Sequence, residues 1–334
     1  MAEQTTSLTQ HVVAYAAGAP VHAAAFLDGT PALARDDGTI TLGTPDAARS
    51  VAAHADGAIL ASAATRSTLV TGGDDGLVVA TKGDGTSHVL HDAGGKWIDA
   101  LASRDDGAVA FSTGKRVFAR DAKGTLKDIA VATTARGLAF APKGYRLAIA
   151  HYNGASLWFP NTETPPDVLE WKGSHLAITF SPDGRFLVTS MQEPALHGWK
   201  LDDRAHMRMS GYPSRVKSIA WSADGFWLAT SGADTCVVWP FRDKDGPMRK
   251  PPREVAGRRA KVSCVAFNPK ALMLAVGYED GWVLLCRLLD SGEMLVHRPD
   301  AARDAISAMA WSADGTRLLF GTSGGEAHLL SVPS

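Results

Sequence analysis

Trp221-Ser222-Ala223-Asp224-Gly225-Phe226-Trp227-Leu228-Ala229-Thr230 places an aromatic residue before a turn centred on Asp-Gly, and a leucine seven residues after that aromatic. Upstream, Val216, Ser218 and Ala220 alternate with Lys217, Ile219 and Trp221; downstream, Ser231-Gly232-Ala233-Asp234 breaks the chain before Cys236-Val237-Val238-Trp239. Short apolar runs bounded by Asp-Gly turns are the pattern of strands in tight antiparallel hairpins. A fourth, weaker strand follows at Pro252 to Ala256. The aromatic-turn-leucine spacing recurs at Phe140/Leu147, Phe180/Leu187, Phe267/Leu274 and Trp311/Leu318, with anchors 40, 41, 46 and 44 residues apart.

That period is the length of a four-stranded propeller blade and exceeds that of helical-hairpin repeats. The strands look apolar throughout because both faces of an inner blade pack on neighbours. The same strand order fits the chain eight times, with first strands near Val21, Ala58, Trp97, Arg136, His175, Val216, Val262 and Ile306. Those near Ala58 and Trp97 lack the aromatic anchor. The last repeat ends after its third strand, and His11-Val12-Val13-Ala14-Tyr15 is the strand available to complete it and close the ring. Closure removes sheet edges that invite aggregation. The expectation is an all-β propeller of eight blades, with seven as the alternative count, forming a single domain over residues 1–334.

The turns Phe180-Ser181-Pro182-Asp183-Gly184, Trp221-Ser222-Ala223-Asp224-Gly225 and Trp311-Ser312-Ala313-Asp314-Gly315 resemble those of the WD40 repeat family. Trp158, Trp199 and Trp239 fall near the family's third-strand tryptophan, although none is followed by Asp. The resemblance covers essentially the whole chain and implies the propeller fold. It also implies a buried polar set of His, Ser or Thr, Asp and Trp in each blade. Here His54 with Asp75, and Thr230 with Asp234 and Trp239, form partial sets, and no repeat has all four; Cys286 stands where one tryptophan is expected. As a guide to function the resemblance is broad, because this fold carries many roles.

Composition excludes several function classes. The 34 basic and 35 acidic residues give a formal charge of -1, so overall charge supplies no footprint for nucleic acid or membrane. No secretory leader and no long apolar run is expected to direct the chain out of the cytoplasm. Cys236, Cys264 and Cys286 lack metal-ligand spacing and read as buried thiols of a reducing compartment. Gly321-Thr322-Ser323-Gly324-Gly325 matches a nucleophile elbow on paper, but the elbow needs a following helix and both flanks here read as strands. His88 and His91 sit three apart on one strand and point to opposite faces unless a bulge intervenes. Asp36-Asp37, Asp74-Asp75 and Asp105-Asp106 precede glycine as turn chemistry demands. No cofactor, metal site or catalytic set is expected.

Function is therefore expected on surfaces where the repeats vary. The turns between second and third strands present Arg35, Asp36, Asp74, His151, Tyr152, Met191, Gln192, Tyr278 and Glu279, and in the resembling family these turns surround one channel mouth. The second candidate is the stretch from Arg242 to Lys261, with eight basic residues against three acidic. It includes Arg249, Lys250, Arg253, Arg258 and Arg259, and it can dock an acidic or phosphate-bearing partner; it can equally be a solvated hairpin tip. It lacks the aromatic residues of a base-stacking platform. The expected function is a monomeric, cytoplasmic, non-catalytic scaffold or regulatory subunit for protein partners, with neither nucleic acid nor membrane as ligand. The alternative is an enzyme, or a small-ligand or metal binder, using the channel mouth.

Overall fold

The computed structural model describes residues 6–300 and 304–333. The remaining termini and 301–303, which the single-domain expectation included, lie outside the described residues. Among the described residues there is no α-helix; two 3-10 turns, Thr9–His11 and Pro45–Ala47, interrupt strands.

The recurrent turn explains itself in atomic detail. Ser181 Oγ donates to Asp183 at 2.6 Å and accepts from the Phe186 amide at 3.0 Å, while Asp183 accepts the Arg185 amide at 3.0 Å. Ser222/Asp224 and Ser312/Asp314 repeat this set. The following glycine has φ near +70° in all three (76°, 70°, 75°), which a side chain would strain. In the fourth example Asn268 replaces serine and aspartate together: its carbonyl accepts the amides of Lys270 (2.8 Å) and Ala271 (3.0 Å), and its amide reaches the Gly315 carbonyl of the next sheet at 2.8 Å.

First strands begin at Val21, Ile59, Ala100, Gly137, Ile219, Val262 and Ile306, and the strands that follow each of them pair in sequence order. The sheets number seven, the alternative count, and not eight separate four-stranded blades. The difference lies in the repeats expected to start near Arg136 and His175. Leu147–Trp158 and Asp167–Phe180 are long strands, and pairing of Tyr152 with Ser174 carries the ladder across the expected boundary, giving one six-stranded sheet. Val12–Ala14 pairs antiparallel with Ala327–Ser331 and supplies the fourth strand of the last sheet. Thr6–Ser7 adds a parallel edge to Glu293–His297, which nothing in the pattern foretold.

The chain divides into two compact units. One comprises the described residues up to Asp36, Ile40–Val51 and those from Val216 onward; the other comprises Asp37–Thr39 and Ala52–Arg215. Inside each unit the cores lie between consecutive sheets. In the first, Val262, Val276, Tyr278 and Cys286 pack against Cys236, Val238 and Val255 of the preceding sheet. Ile306, Leu318 and Phe320 pack on Ala275, Val283 and Leu285, and Val21 and Leu33 on Leu319 and Leu329. In the second, Phe111 sits with Val70 and Val78, and Leu147 and Ile149 sit with Ala110 and Val117. The anchors face these seams: Trp311 Nε1 donates to the Ala266 carbonyl of the preceding sheet at 3.1 Å, and Phe180 is buried against Ala148 and Leu157.

Candidate partner-binding surface

At one end of the second unit, the turns between second and third strands are tied to the segments that enter their own or the next repeat. The Ala93 amide donates to Gly76 O (2.9 Å), the Ala135 amide to Gly114 O (2.9 Å) and the Gln192 amide to Ser174 O (2.9 Å). Tyr152 N donates to Thr133 Oγ1 at 3.0 Å, and Arg215 Nη1 to Gln192 Oε1 at 3.0 Å. These bonds hold the loop backbone on rigid strand ends and leave side chains free to point outward.

Two large aromatics do so. Ile98 is fully buried, so Trp97, its neighbour, faces away and is 62 % exposed. Strand pairing begins only at Ala100, so Trp97 belongs to the Gly94-Gly95-Lys96-Trp97 loop and not to a first strand. His151 is likewise turned inward, with Nε2 on Ser156 Oγ (2.9 Å) and Nδ1 on the Tyr152 carbonyl (3.0 Å), and Tyr152 next to it is 52 % exposed. Beside the Trp97 loop a cleft of about 640 Å³ is lined by His91, Asp92, Lys96, Thr113, Lys115, Arg116 and Phe118, among others. Arg116 pairs with Asp128 at 2.6 Å. The lining offers three basic side chains against one carboxylate.

The other expected site residues divide into exposed and structural. Asp74 is half-buried and caps the Ala58 amide at 2.7 Å. Gln192 is exposed. In the first unit Asp36 is exposed 3.5 Å from His22, and Glu279 is exposed. Arg35 and Tyr278 are not surface groups. Arg35 is 4 % exposed and donates to Ala19 O (2.8 Å), Gly325 O (3.1 Å) and Thr41 Oγ1 (3.0 Å), latching two loops. Tyr278 is fully buried, with its hydroxyl on the Ala256 carbonyl. A turn position alone does not say whether a side chain points out or back under its own hairpin. Met191 and His151 are buried for the same reason.

The basic stretch is partly committed to structure. Lys250 bonds Asp243 and Gly246 O; Arg253 lies over Trp227 (5.5 Å) and reaches Ser291 Oγ at 3.3 Å. Arg258 pairs with Asp280 at 2.8 Å and stacks 3.7 Å from the Trp282 ring. Arg249 and Arg259 remain exposed.

The remaining chemical motifs resolve as follows. His54 Nδ1 bonds Asp75 (2.9 Å) and Nε2 bonds Thr71 Oγ1 (2.9 Å), a three-member polar set with Val79 opposite Thr71. Ser323 lies in the turn between strands Arg317–Thr322 and Ala327–Ser331, so no strand-to-helix elbow forms. A bulge does fall between Val89 and His91, but His91 packs on Phe111 (4.8 Å) while His88 stays exposed. The three thiols are buried and free, and burial pushes Cys236 up to about 12 and Cys264 and Cys286 to about 11. One cluster escaped the sequence reading: His297, Glu326 and His328 converge, although His297 belongs to one sheet and His328 to the next. No spacing rule finds residues brought together by sheet packing.

A profile described as "Anaphase-promoting complex subunit 4 WD40 domain" matches residues 265–334, and one described as "WD domain, G-beta repeat" matches 205–239. Similar proteins include Protein HIR1 of Mycosarcoma maydis, 27 % identical over 44 % of this chain and 16 % of that protein. THO complex subunit 3 of Arabidopsis thaliana is 30 % identical over 40 % of this chain and 41 % of that protein. Anaphase-promoting complex subunit cdh1 of Dictyostelium discoideum is 32 % identical over 37 % and 15 %. The chain thus covers less than half the length of each. Among solved structures, the computationally designed Ika8 protein superposes with a TM-score of 0.77 at 18 % identity, over 98 % of this chain and 100 % of that one, a likeness of fold alone. No helix among the described residues is long and apolar enough to cross a membrane. The repeated turn chemistry and these matches, over residues 205–239 and 265–334 and to WD-repeat relatives, support a WD40 repeat family protein.

Proposed function

We propose that this protein is a non-catalytic interaction module, a scaffold or regulatory subunit that docks a protein partner on the loop end of its second unit. The observation that carries the proposal is the pair of exposed aromatics: Trp97, on a hydrogen-bonded loop beside a lysine- and arginine-lined cleft, and Tyr152, on the long strand Leu147–Trp158 of the following repeat. Trp, Tyr and Arg dominate the energetics of interface centres, and rigid loops lower the entropic cost of binding. The chemistry fits a partner surface that offers apolar side chains flanked by carboxylates. Relatives named as subunits of the THO, TFIID and anaphase-promoting complexes support an assembly role. Gln192 and Asp74 extend this face; Asp36, Glu279, Arg249 and Arg259 are exposed positions for contacts by the first unit. Deeply buried thiols, held in the poorly nucleophilic protonated form, support both the non-catalytic reading and a reducing, cytoplasmic address.

The test is affinity purification with crosslinking, followed by Kd measurement for each recovered partner as the monomeric protein. Trp97→Ala/Tyr152→Ala is expected to weaken binding at least about 30-fold, the size of one interface hot spot. Lys96→Glu/Lys115→Glu is expected to slow association and remove its salt dependence. Both sites are exposed, so folding is unaffected. Unchanged Kd values in both variants refute this face, and loss only on Arg249→Ala/Arg259→Ala moves the site to the basic stretch.

A further inference from the structure

His297 ends the outer strand Glu293–His297, opposite Val283. His328 lies on the third strand of the following sheet, opposite Phe320 on one side and Ala14 on the other. Their rings stand 4.2 Å apart, with Phe320 stacked on His328 at 5.1 Å. Glu326 projects from the turn just before His328, its amide held by Thr322 Oγ1 at 3.1 Å. The ligating atoms of all three lie within 4.8 Å of one another.

The second unit contains the same arrangement with different chemistry. There His91 packs at a tilt against Phe111 (4.8 Å) and Phe118 (5.6 Å), and Phe118 pairs with Phe111 as His328 pairs with Phe320. Two residues before Phe118 stands Arg116, where Glu326 stands before His328. A seam that needs only flat rings therefore carries, in this one place, two imidazoles and a carboxylate. His328 is 9 % exposed, yet its Nδ1 has no hydrogen-bond partner. A buried imidazole nitrogen left bare costs free energy unless something occupies it.

We propose that His297, Glu326 and His328 form a binding site for a divalent transition metal ion, zinc by the chemistry of its donors. Two imidazoles and one carboxylate are a three-residue zinc set, and Glu326, being exposed, leaves a fourth position open to water. A tetrahedral ion with bonds of about 2.1 Å needs donors about 3.4 Å apart. The side chains must therefore draw in by roughly 1.4 Å at most, within reach of the exposed glutamate and the half-buried His297 ring.

The test uses full-length protein without a polyhistidine tag, stripped with chelator and titrated with Zn²⁺ against a chromophoric competitor. One equivalent is expected to bind, and Co²⁺ is expected to give the visible absorption of a tetrahedral N/O site. Glu326→Gln is expected to weaken Zn²⁺ binding by about 10–100-fold or more, since even residues that only support ligands cost that much. His328→Phe recreates the ring found at Phe118, so it keeps the stack and the unfolding midpoint while removing the metal. His206→Gln, at a second histidine pair, His197–His206 (3.1 Å), leaves affinity unchanged. Absence of a stoichiometric Zn²⁺ site overturns the proposal, as does equal affinity in His328→Phe or a loss confined to His206→Gln.

Discussion

Gly277→Ala tests how the sheets are joined inside the first unit. A Cβ at Gly277 would stand 2.6 Å from Cγ2, 2.7 Å from Cβ and 3.0 Å from Cγ1 of Ile306, which opens the next repeat and is 1 % exposed. Carbon atoms pack at about 3.5–4.0 Å, so the methyl group overlaps its neighbour by about 1 Å. Ile306 has little room to retreat, because Ser263 Oγ donates to its carbonyl at 2.7 Å and to that of Gly277 at 3.3 Å. Overpacking of this kind costs about 1–3 kcal/mol. The assay is urea unfolding of the wild type, Gly277→Ala, Ile306→Ala and the double variant. Ile306→Ala alone costs about 2–5 kcal/mol by leaving a cavity. It also removes both γ contacts, so the double variant is expected to fall short of additivity by about 1 kcal/mol. Additive losses, or a Gly277→Ala protein as stable as wild type, refute the argument. The device recurs: Gly321 would meet Val21 at 2.6 Å, with Ser307 Oγ bridging Val21 O and Gly321 O, and Gly72 would meet Ile98 at 2.4 Å.

Two further outcomes follow from buried histidines. Asp75→Ala strips the partner from His54, which is 1 % exposed, and is expected to cost about 1–3 kcal/mol in urea unfolding; a loss no greater than that of Thr71→Val, about 1 kcal/mol, contradicts the assigned role. His197 stacks on Trp171 at 4.0 Å, and burial with the charges of His175, His206 and Arg208 lowers its pKa to about 3. The unfolded chain protonates near 6.5, so the unfolded state binds the extra proton between those values, and stability must decline as pH falls from about 6.5 toward 3. His197→Phe keeps a ring on Trp171 and is expected to reduce the decline of the unfolding midpoint between pH 6.5 and 4.5; a slope identical to wild type removes His197 as a contributor.

The strand order was legible because each repeat states its turn in hydrogen-bonding residues: Ser312, Asp314 and Gly315 are needed locally, whatever surrounds them. The Ser312 and Thr316 bonds even hold the Asp314 carboxyl down to about 2. The His54–Asp75 contact was legible through the family resemblance. Orientation was not, since Tyr152 and Tyr278 fall five and four residues after the aligned Leu147 and Leu274, and one is exposed while the other is buried. Nor were the seams, for Gly277 reads as punctuation although it is a contact with a residue 29 positions on. The sheet count depended on whether the ladder pauses between Trp158 and His175, a matter of the Tyr152–Ser174 pairing that no composition encodes.

Repetition within one chain also separates what the fold requires from what a site requires. Phe118, His197 and His328 hold the same third-strand place, opposite Phe111, Thr189 and Phe320, and each meets a ring from a strand earlier in the chain: His91, Trp171 and His297. Packing therefore asks for a flat side chain of moderate size and is indifferent to nitrogen. What distinguishes the three places is the residue two positions earlier, Arg116, Ala195 or Glu326. A cation repels a metal ion, a methyl group offers it nothing, and a carboxylate completes its donor set. Were the histidines at 297 and 328 only packing residues, exchanging Glu326 for arginine would leave the seam as stable as the one at Phe118; zinc affinity is the property that such an exchange must abolish.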